Sequence, residues 1–501
     1  MNASNRLTWL ITLLTLALVL AGCATRTSGR GNDTGQGGDD DDDSAAANDD
    51  DVVDDDDAVD DDDAADDDDD DDDDDGTQDL DAELAAMWTV LPVPPEPLDA
   101  VTVDPALYAL GQALFFDPEL SGNRDVACAS CHHPSWGTSD GLSLTLGTGA
   151  VGVGPDRGAP GHPPFIARHS IDLFNRGDAA VHTLFWDGRI AQTAEGLMTP
   201  AGLDPLPGLS GPLAAQALFP LLDRAEMRGA DGDLDVNGSA NELAALDDGD
   251  PQAIWSAILA RLLALPGYVT LFEAAFPTVT TQDLTMAHAA NAIGAFEAEA
   301  FSFTNTPWDR YLRGELDAIG DDAKLGARLF FGNTGCGNCH SGALLSDQQF
   351  HATGIVQLGP GKAGTEPFDH GREHATGDPA DRWAFRTPPL RNTALSGPWM
   401  HDGALLSIEA VLVHYALPQN SAATYDPQEL HPDLQGTVQQ DAAHIEELVD
   451  AFSEVLPTPT DGSGTVGLSN LRAFLNALTD PAAEDMSSLR PATVPSGLPV
   501  P

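Results

Sequence analysis

Apolar residues recur at helical spacing in several separate stretches of the chain. In "LGQALFF" (110–116) and "LGARLFF" (325–331), two leucines fall four apart with two phenylalanines directly after the second, a helical spacing. The same period runs through "AIWSAILARLLALPGYVTLFEAAF" (253–276) and "MAHAANAIGAFEAEAF" (286–301). Ile408, Val411, Leu412 and Tyr415 follow the i, i+3, i+4, i+7 rule, which predicts a helix with the tyrosine on its buried stripe. Period-two alternation is scarce, so the pattern predicts an all-α protein. Gly/Pro-rich stretches at 147–164 and 201–212 read as long loops, and the tail "PATVPSGLPVP" (491–501) as unstructured.

The two Leu-Gly-x-x-Leu-Phe-Phe segments form an internal repeat, each running into a cysteine pair: "CASCH" (128–132) and "CGNCH" (336–340). Each pair is Cys-x-x-Cys-His, the spacing of c-type haem attachment. Two thiols add to the haem vinyl groups, and the adjacent histidine becomes the proximal iron ligand. Cys128, Cys131 and His132 would hold one haem, and Cys336, Cys339 and His340 a second. One four-cysteine zinc site or two disulfides would also use these residues, but neither requires a histidine after each pair. The repeat predicts two cytochrome c-like domains, residues 81–312 and 313–490, each built around one covalent haem.

Length and charge add the outer parts. The chain has 501 residues, enough for two cores. Residues 1–22 read as an export signal, and Leu20-Ala21-Gly22-Cys23 resembles a bacterial lipoprotein box with Cys23 as the lipidated residue. Residues 23–80 are then a disordered Asp-rich tether, since 26 aspartates lie between 39 and 75. Fully extended, it spans roughly 190 Å at about 3.3 Å per residue. Expected localisation is the periplasmic face of a bacterial membrane, the outer membrane for choice, with contact through the lipid only. The formal net charge is -59, and even without the tether acids outnumber bases more than two to one. Such a surface disfavours nucleic acid.

Beyond the haem motifs, several stretches closely resemble the bacterial di-haem cytochrome c peroxidases, including their MauG-like branch. They are "LFFDPELSGNRDVACASCHHP", "FWDGR" (185–189), "AEMRG" (225–229), "PGYVTLFEAAFP" (266–277), "PWDRYLRGE" (307–315), "CGNCHSGALLSDQQFH" (336–351) and "TPPLRNTALSGPWMHDG" (387–403). The resemblance implies a first, peroxidatic haem on His132 and a second, electron-transfer haem on His340. It implies reduction of hydrogen peroxide to water with electrons from a small redox protein, and admits a homodimer. MauG-like oxidation of a protein substrate at long range is the close variant, and a non-enzymatic di-haem electron carrier the distant one.

Residue roles follow from the same alignment. Glu226 matches the catalytic glutamate, which is the group the chemistry needs to move a proton between the peroxide oxygens. Trp186 matches the tryptophan between the haems, and His401 the histidine placed near the peroxidatic site. Where other members carry a distal histidine after the first motif, this chain has Thr148, which implies an iron open to peroxide without reductive activation; His133, His162 and His169 are the nearby stand-ins. The sixth ligand of the second haem falls on Tyr415, fourteen residues after His401, with Met400 as rival. A family calcium ion would meet His169, Ser396 and Pro398, and histidine is a poor ligand for a hard cation. Separately, "DLDVNG" (233–238) opens like an EF-type loop, making Asp233, Asp235 and Asn237 candidate calcium ligands, although its twelfth position is Ala244.

Overall fold

The computed structural model describes residues 79–158, 165–362, 364–452 and 467–501. The export signal, Cys23, the Asp-rich stretch and His162 lie outside the described residues.

Ten longer helices carry the fold: α1 (Leu80–Trp88), α2 (Pro105–Phe116), α3 (Pro251–Leu263), α4 (Pro266–Ala275), α5 (Met286–Ala300), α6 (Pro307–Leu312), α7 (Asp321–Phe331), α8 (Ile408–Ala416), α9 (Ala442–Ala451) and α10 (Leu468–Ala477). The structure is mostly helical but not all-α. A four-stranded antiparallel meander runs β1 (Thr183–Leu184), β2 (Ile190–Thr193), β3 (Gly196–Thr199) and β4 (Gly202–Leu203), with Ala191 opposite Met198. A second pair joins β5 (Phe350–Ala352) to β6 (Ala384–Arg386), with His351 opposite Phe385. These strands are two to four residues long, too short for alternation to register as a pattern.

The repeat glycines explain the architecture. Asp104 caps α2 by accepting from Ala106 and Leu107, and Pro105 opens its first turn. The helix then crosses α5 at Gly111, where a Cβ would lie 1.9 Å from the Ala292 carbonyl oxygen and 2.7 Å from the Phe296 Cβ. In the second copy α7 crosses α10 at Gly326, where a Cβ would lie 2.0 Å from Asn470 O and 2.7 Å from the Phe474 Cβ. Only glycine allows either approach. Each crossing brings the Phe-Phe pair against one aromatic: Phe115 and Phe116 against Phe296, and Phe330 and Phe331 against Phe474.

Two main cores result, one around each motif, but their limits differ from those expected. Trp308 and Tyr311 stack on each other and belong with Phe331 and Phe474 in the second core, because their rings complete that aromatic cluster. Leu84 of α1 also lies in the second core, and Asp81 and Glu83 reach Lys324 and Arg328 at 2.9 Å. Conversely, the C-terminal tail is ordered on the first core. Val494 is buried there, and Ser496 donates its hydroxyl to Asp117 at 2.6 Å. Composition predicted a free tail; apolar Val494 and a buried aspartate acceptor hold it.

Candidate active site

Each Cys-x-x-Cys-His motif forms one tight turn on the wall of its own cavity. In the first, Cys128–Cys131 make a helical turn in which the Ser130 hydroxyl accepts from Ala127 N at 3.0 Å. His132 Nδ1 pairs with the Thr138 carbonyl at 3.0 Å, which puts the proton on Nδ1 and leaves Nε2 as the ligating nitrogen. His340 repeats this with Leu345 O at 2.9 Å. Burial lowers both histidines, His132 to about 4, so both are neutral as iron ligation requires. All four cysteines are free thiols, and the two pairs line different cavities. Disulfides and a single four-cysteine zinc site are thereby set aside.

The cavities fit haem in a second respect. A c-type haem brings carboxylates, and each cavity offers cations on its wall. Arg189 and Lys362 line the first, and Arg386 lines the second with its Nη1 buried and without a hydrogen-bond partner among the described residues. Arg386 is otherwise held by its Nε on the Phe185 carbonyl, at 3.0 Å.

Glu226 lines the first cavity together with His132. It sits on a wide helical turn, Arg224–Arg228, whose bonds run from Arg228 N to Asp223 O and from Gly229 N to Arg224 O. Such π-type turns concentrate at functional sites because they redirect one side chain. The Asp223 carboxylate caps the turn through Ala225 and Glu226 N–H. Burial, reinforced by Asp223, pushes the Glu226 carboxyl up to about 7. Thr148 is turned away from the cavity: its hydroxyl donates to Asp125 at 2.9 Å while its backbone N–H bonds Glu226 O at 3.0 Å.

Trp186 lines both cavities. Its indole Nε1 donates to His169 O at 3.1 Å, and its own carbonyl accepts from Arg386 N at 2.7 Å. The next residue, Asp187, pairs with Arg168 at 2.6 Å and Arg189 at 3.1 Å, and Arg168 also holds Asp369 at 2.6 Å.

A family model described as di-haem cytochrome c peroxidase matches residues 105–317. The methylamine utilization protein MauG of Methylorubrum extorquens is 35% identical over 312 residues, which cover 62% of this chain and 69% of that protein. The chain belongs to the di-haem cytochrome c peroxidase family. Cytochrome c551 peroxidase of Pseudomonas aeruginosa is 28% identical over 300 residues, 60% of this chain and 68% of that one. Among solved structures, a MauG-like protein associated with microbial copper homeostasis superposes with a TM-score of 0.51 at 25% identity, covering 79% of this chain and 97% of its own. Membership makes the protein an oxidoreductase acting on peroxide and implies two c-type haems.

Within this di-haem peroxidase, the remaining expected residues fall as follows. His401 lines the second cavity rather than the first, stacked on Phe385 with ring centroids 3.6 Å apart. Burial lowers it to about 3, so it is neutral there. Its carbonyl accepts from His169 N at 2.8 Å, which ties the His-Asp-Gly turn to the strand of chain beside Trp186. Tyr415 and Met400 both face the second cavity. The phenol of Tyr415 is pushed up by burial and has no hydrogen-bond partner among the described residues, whereas Met400 also packs against the cluster of Leu144, Ile355 and Val356.

Neither described stand-in for the distal histidine is free to turn to iron. His133 Nδ1 accepts from Ser135 N and its ring packs on Trp136. His169 spends Nδ1 on Leu142 O at 2.9 Å and Nε2 on Ser139 at 3.3 Å, so its imidazole is also unavailable to a calcium ion. The EF-like loop is likewise committed to protein partners. Asp235 pairs with Arg124 and accepts from Asn237 and Ser239 N–H, while Asp233 accepts from Asn123 and Ala230. A guanidinium and an amide hold the carboxylates that a calcium ion would need, so this donor set does not fit calcium.

Sequence reasoning missed Arg168, Asp369, Lys362, Arg386 and Glu297. A period-based reading sees charge at these positions but not that the fold buries it, or in the case of Lys362 half-buries it. The one available signal was the second arginine pair in "FRTPPLRN", where Arg386 and Arg391 sit in an otherwise apolar run.

Proposed function

We propose that the protein reduces hydrogen peroxide to water at the first cavity, with two electrons arriving through the second from a small redox protein. The balance is one peroxide, two electrons and two protons to two waters. When bound, the haems supply the redox-active irons. Around them, the Glu226 carboxylate takes a proton from one peroxide oxygen and returns it to the other, which leaves as water. Trp186, bonded to His169 and shared by both cavities, is the conduit between them. The observation that carries this reading is Glu226, half-buried on a π-type turn in the same cavity as His132, with its pKa brought to about 7 where base and acid forms exchange readily.

Glu226→Gln in the di-haem protein tests it: turnover with a reduced cytochrome donor should fall about 10²-fold or more with both haems retained. Unchanged turnover removes Glu226 from the mechanism. Long-range oxidation of a protein substrate is the second reading, favoured by the unpartnered Tyr415 phenol facing the second cavity, since a phenolate stabilises ferric iron better than a thioether does. The Leu20–Cys23 box supports an exported, lipid-anchored protein. Cys23→Ser should release it as soluble, haem-loaded protein, and continued membrane association would refute the anchor.

A further inference from the structure

Glu297 is the least explained residue of the first cavity. It lies on α5, is 5% exposed, lines the cavity with Cys128, and its Oε2 is buried without a hydrogen-bond partner among the described residues. Burying a lone carboxyl costs several kcal/mol if ionised, and such groups are rare unless used. The fold itself does not ask for it. By the matching glycine crossings, Phe296 corresponds to Phe474, so the residue after it corresponds to Leu475, which lines the second cavity. One half of the molecule therefore has an acid where the other has a leucine.

Few charges face it. The haem motif brings Cys128, whose sulfur is alkylated in the haem-loaded protein. Helix α2 contributes only Tyr108, which neighbours Glu299; the turn Pro212–Gln216 contributes none; and Arg261 of α3 pairs with Glu242. At the loop under Ala298, Arg176 pairs with Asp172 and Asp178 caps its own turn. Glu226 and Asp223 line the same cavity. Arg168, Arg189, Lys362, Glu366 and His374 line the same cavity as well, but burial is what sets the shift and pushes the Glu297 carboxyl up to about 8.

We propose that Glu297 holds the proton taken up when the first-cavity haem gains an electron, making it a redox-linked proton site of this cavity. The proposal rests on haem in the first cavity and not on the role of Glu226. The electron comes from the reductant, the proton from solvent, and the new bond is the O–H of the Glu297 carboxyl. The added negative charge strengthens the hold on that proton. The midpoint potential should therefore fall as pH rises between the oxidised-state and reduced-state pKa of Glu297, and be flat on either side. A tenfold change in proton activity corresponds to at most about 59 mV for a one-electron couple.

The test is potentiometry of the first haem as a function of pH in the purified di-haem protein, with Glu297→Gln and Glu297→Leu. The leucine variant copies the other half of the molecule and loses only a buried, unpaired acid, so it is expected to fold. In both variants the sloping region should vanish, with the potential close to the low-pH limb of the unmodified protein. The reduced-minus-oxidised infrared difference should lose a deuterium-sensitive protonated-carboxyl band. A merely structural role would offset the potential and leave slope and band in place, and that result would overturn the proposal. A haemochrome count below two per chain would instead overturn the haem assignment beneath it.

Discussion

The indole nitrogen of Trp186 donates to the backbone carbonyl of His169 at 3.1 Å, and these two neighbours both border the two haem cavities. The bond fixes the ring plane between the centres, and Arg386 N on the Trp186 carbonyl fixes its backbone. Trp186→Phe keeps an aromatic but loses the donor, at about 1 kcal/mol. Electron transfer between haems, followed by stopped-flow after mixing with peroxide, should slow while the peroxide-binding phase is unchanged. An unaltered transfer rate would reduce Trp186 to packing.

For Glu226 the pH direction follows from its function as a base. Burial and then Asp223 raise its carboxyl to about 7, so the carboxylate that accepts the peroxide proton is depleted below that pH. The rate of reaction with peroxide should fall as pH drops through about 7, by roughly tenfold per unit once well below it. In Glu226→Gln this limb should disappear. A limb at the same pH in the variant would assign the titration to another group.

The ligand of the second haem can be read spectroscopically. With Tyr415 bound, the oxidised protein should lack the near-infrared sulfur-to-iron band, and Tyr415→Phe should change its spectrum while Met400→Leu does not. A band that survives Tyr415→Phe and vanishes in Met400→Leu would make Met400 the ligand.

Arg168 is buried between Asp187 and Asp369 at 2.6 Å from each. Burial opposes ionisation of both acids, but Arg168 outweighs it and holds them well below the usual carboxylate range. Their folded pKa values are depressed, so this contribution is present above the unfolded value of about 3.9 and is lost as pH falls below it. Arg168→Met strands two buried carboxylates and should cost about 3–5 kcal/mol in denaturant melts at neutral pH. The deficit should shrink towards acid pH; a constant deficit would mean the loss is packing.

Much of this site was legible in the sequence because covalent attachment needs contiguous residues: Cys128, Cys131 and His132 must be adjacent in the chain as well as in space. The crossing helices were legible too, since Leu-Gly-x-x-Leu-Phe-Phe occurs twice. What stayed hidden depends on long-range placement. His401 lies 61 residues after His340 and 215 after Trp186, and only the fold puts it on Phe385 beside the second cavity. The strands were too short to show a period, and Glu297 looked like one more acid on an amphipathic helix until its surroundings proved to be alanine, phenylalanine and a haem cavity.

The exchange of chain ends between the two cores has a mechanical meaning. Leu84, near the start of the described chain, closes the core of the second half, and Val494, near its end, closes that of the first. The halves are laced together like a clasp fastened at both ends. Cutting the chain between Phe303 and Trp308 would free neither half intact, because each would leave part of its own core behind on the other. The gap an electron must cross is therefore set by the stability of the whole fold rather than by the swing of a linker.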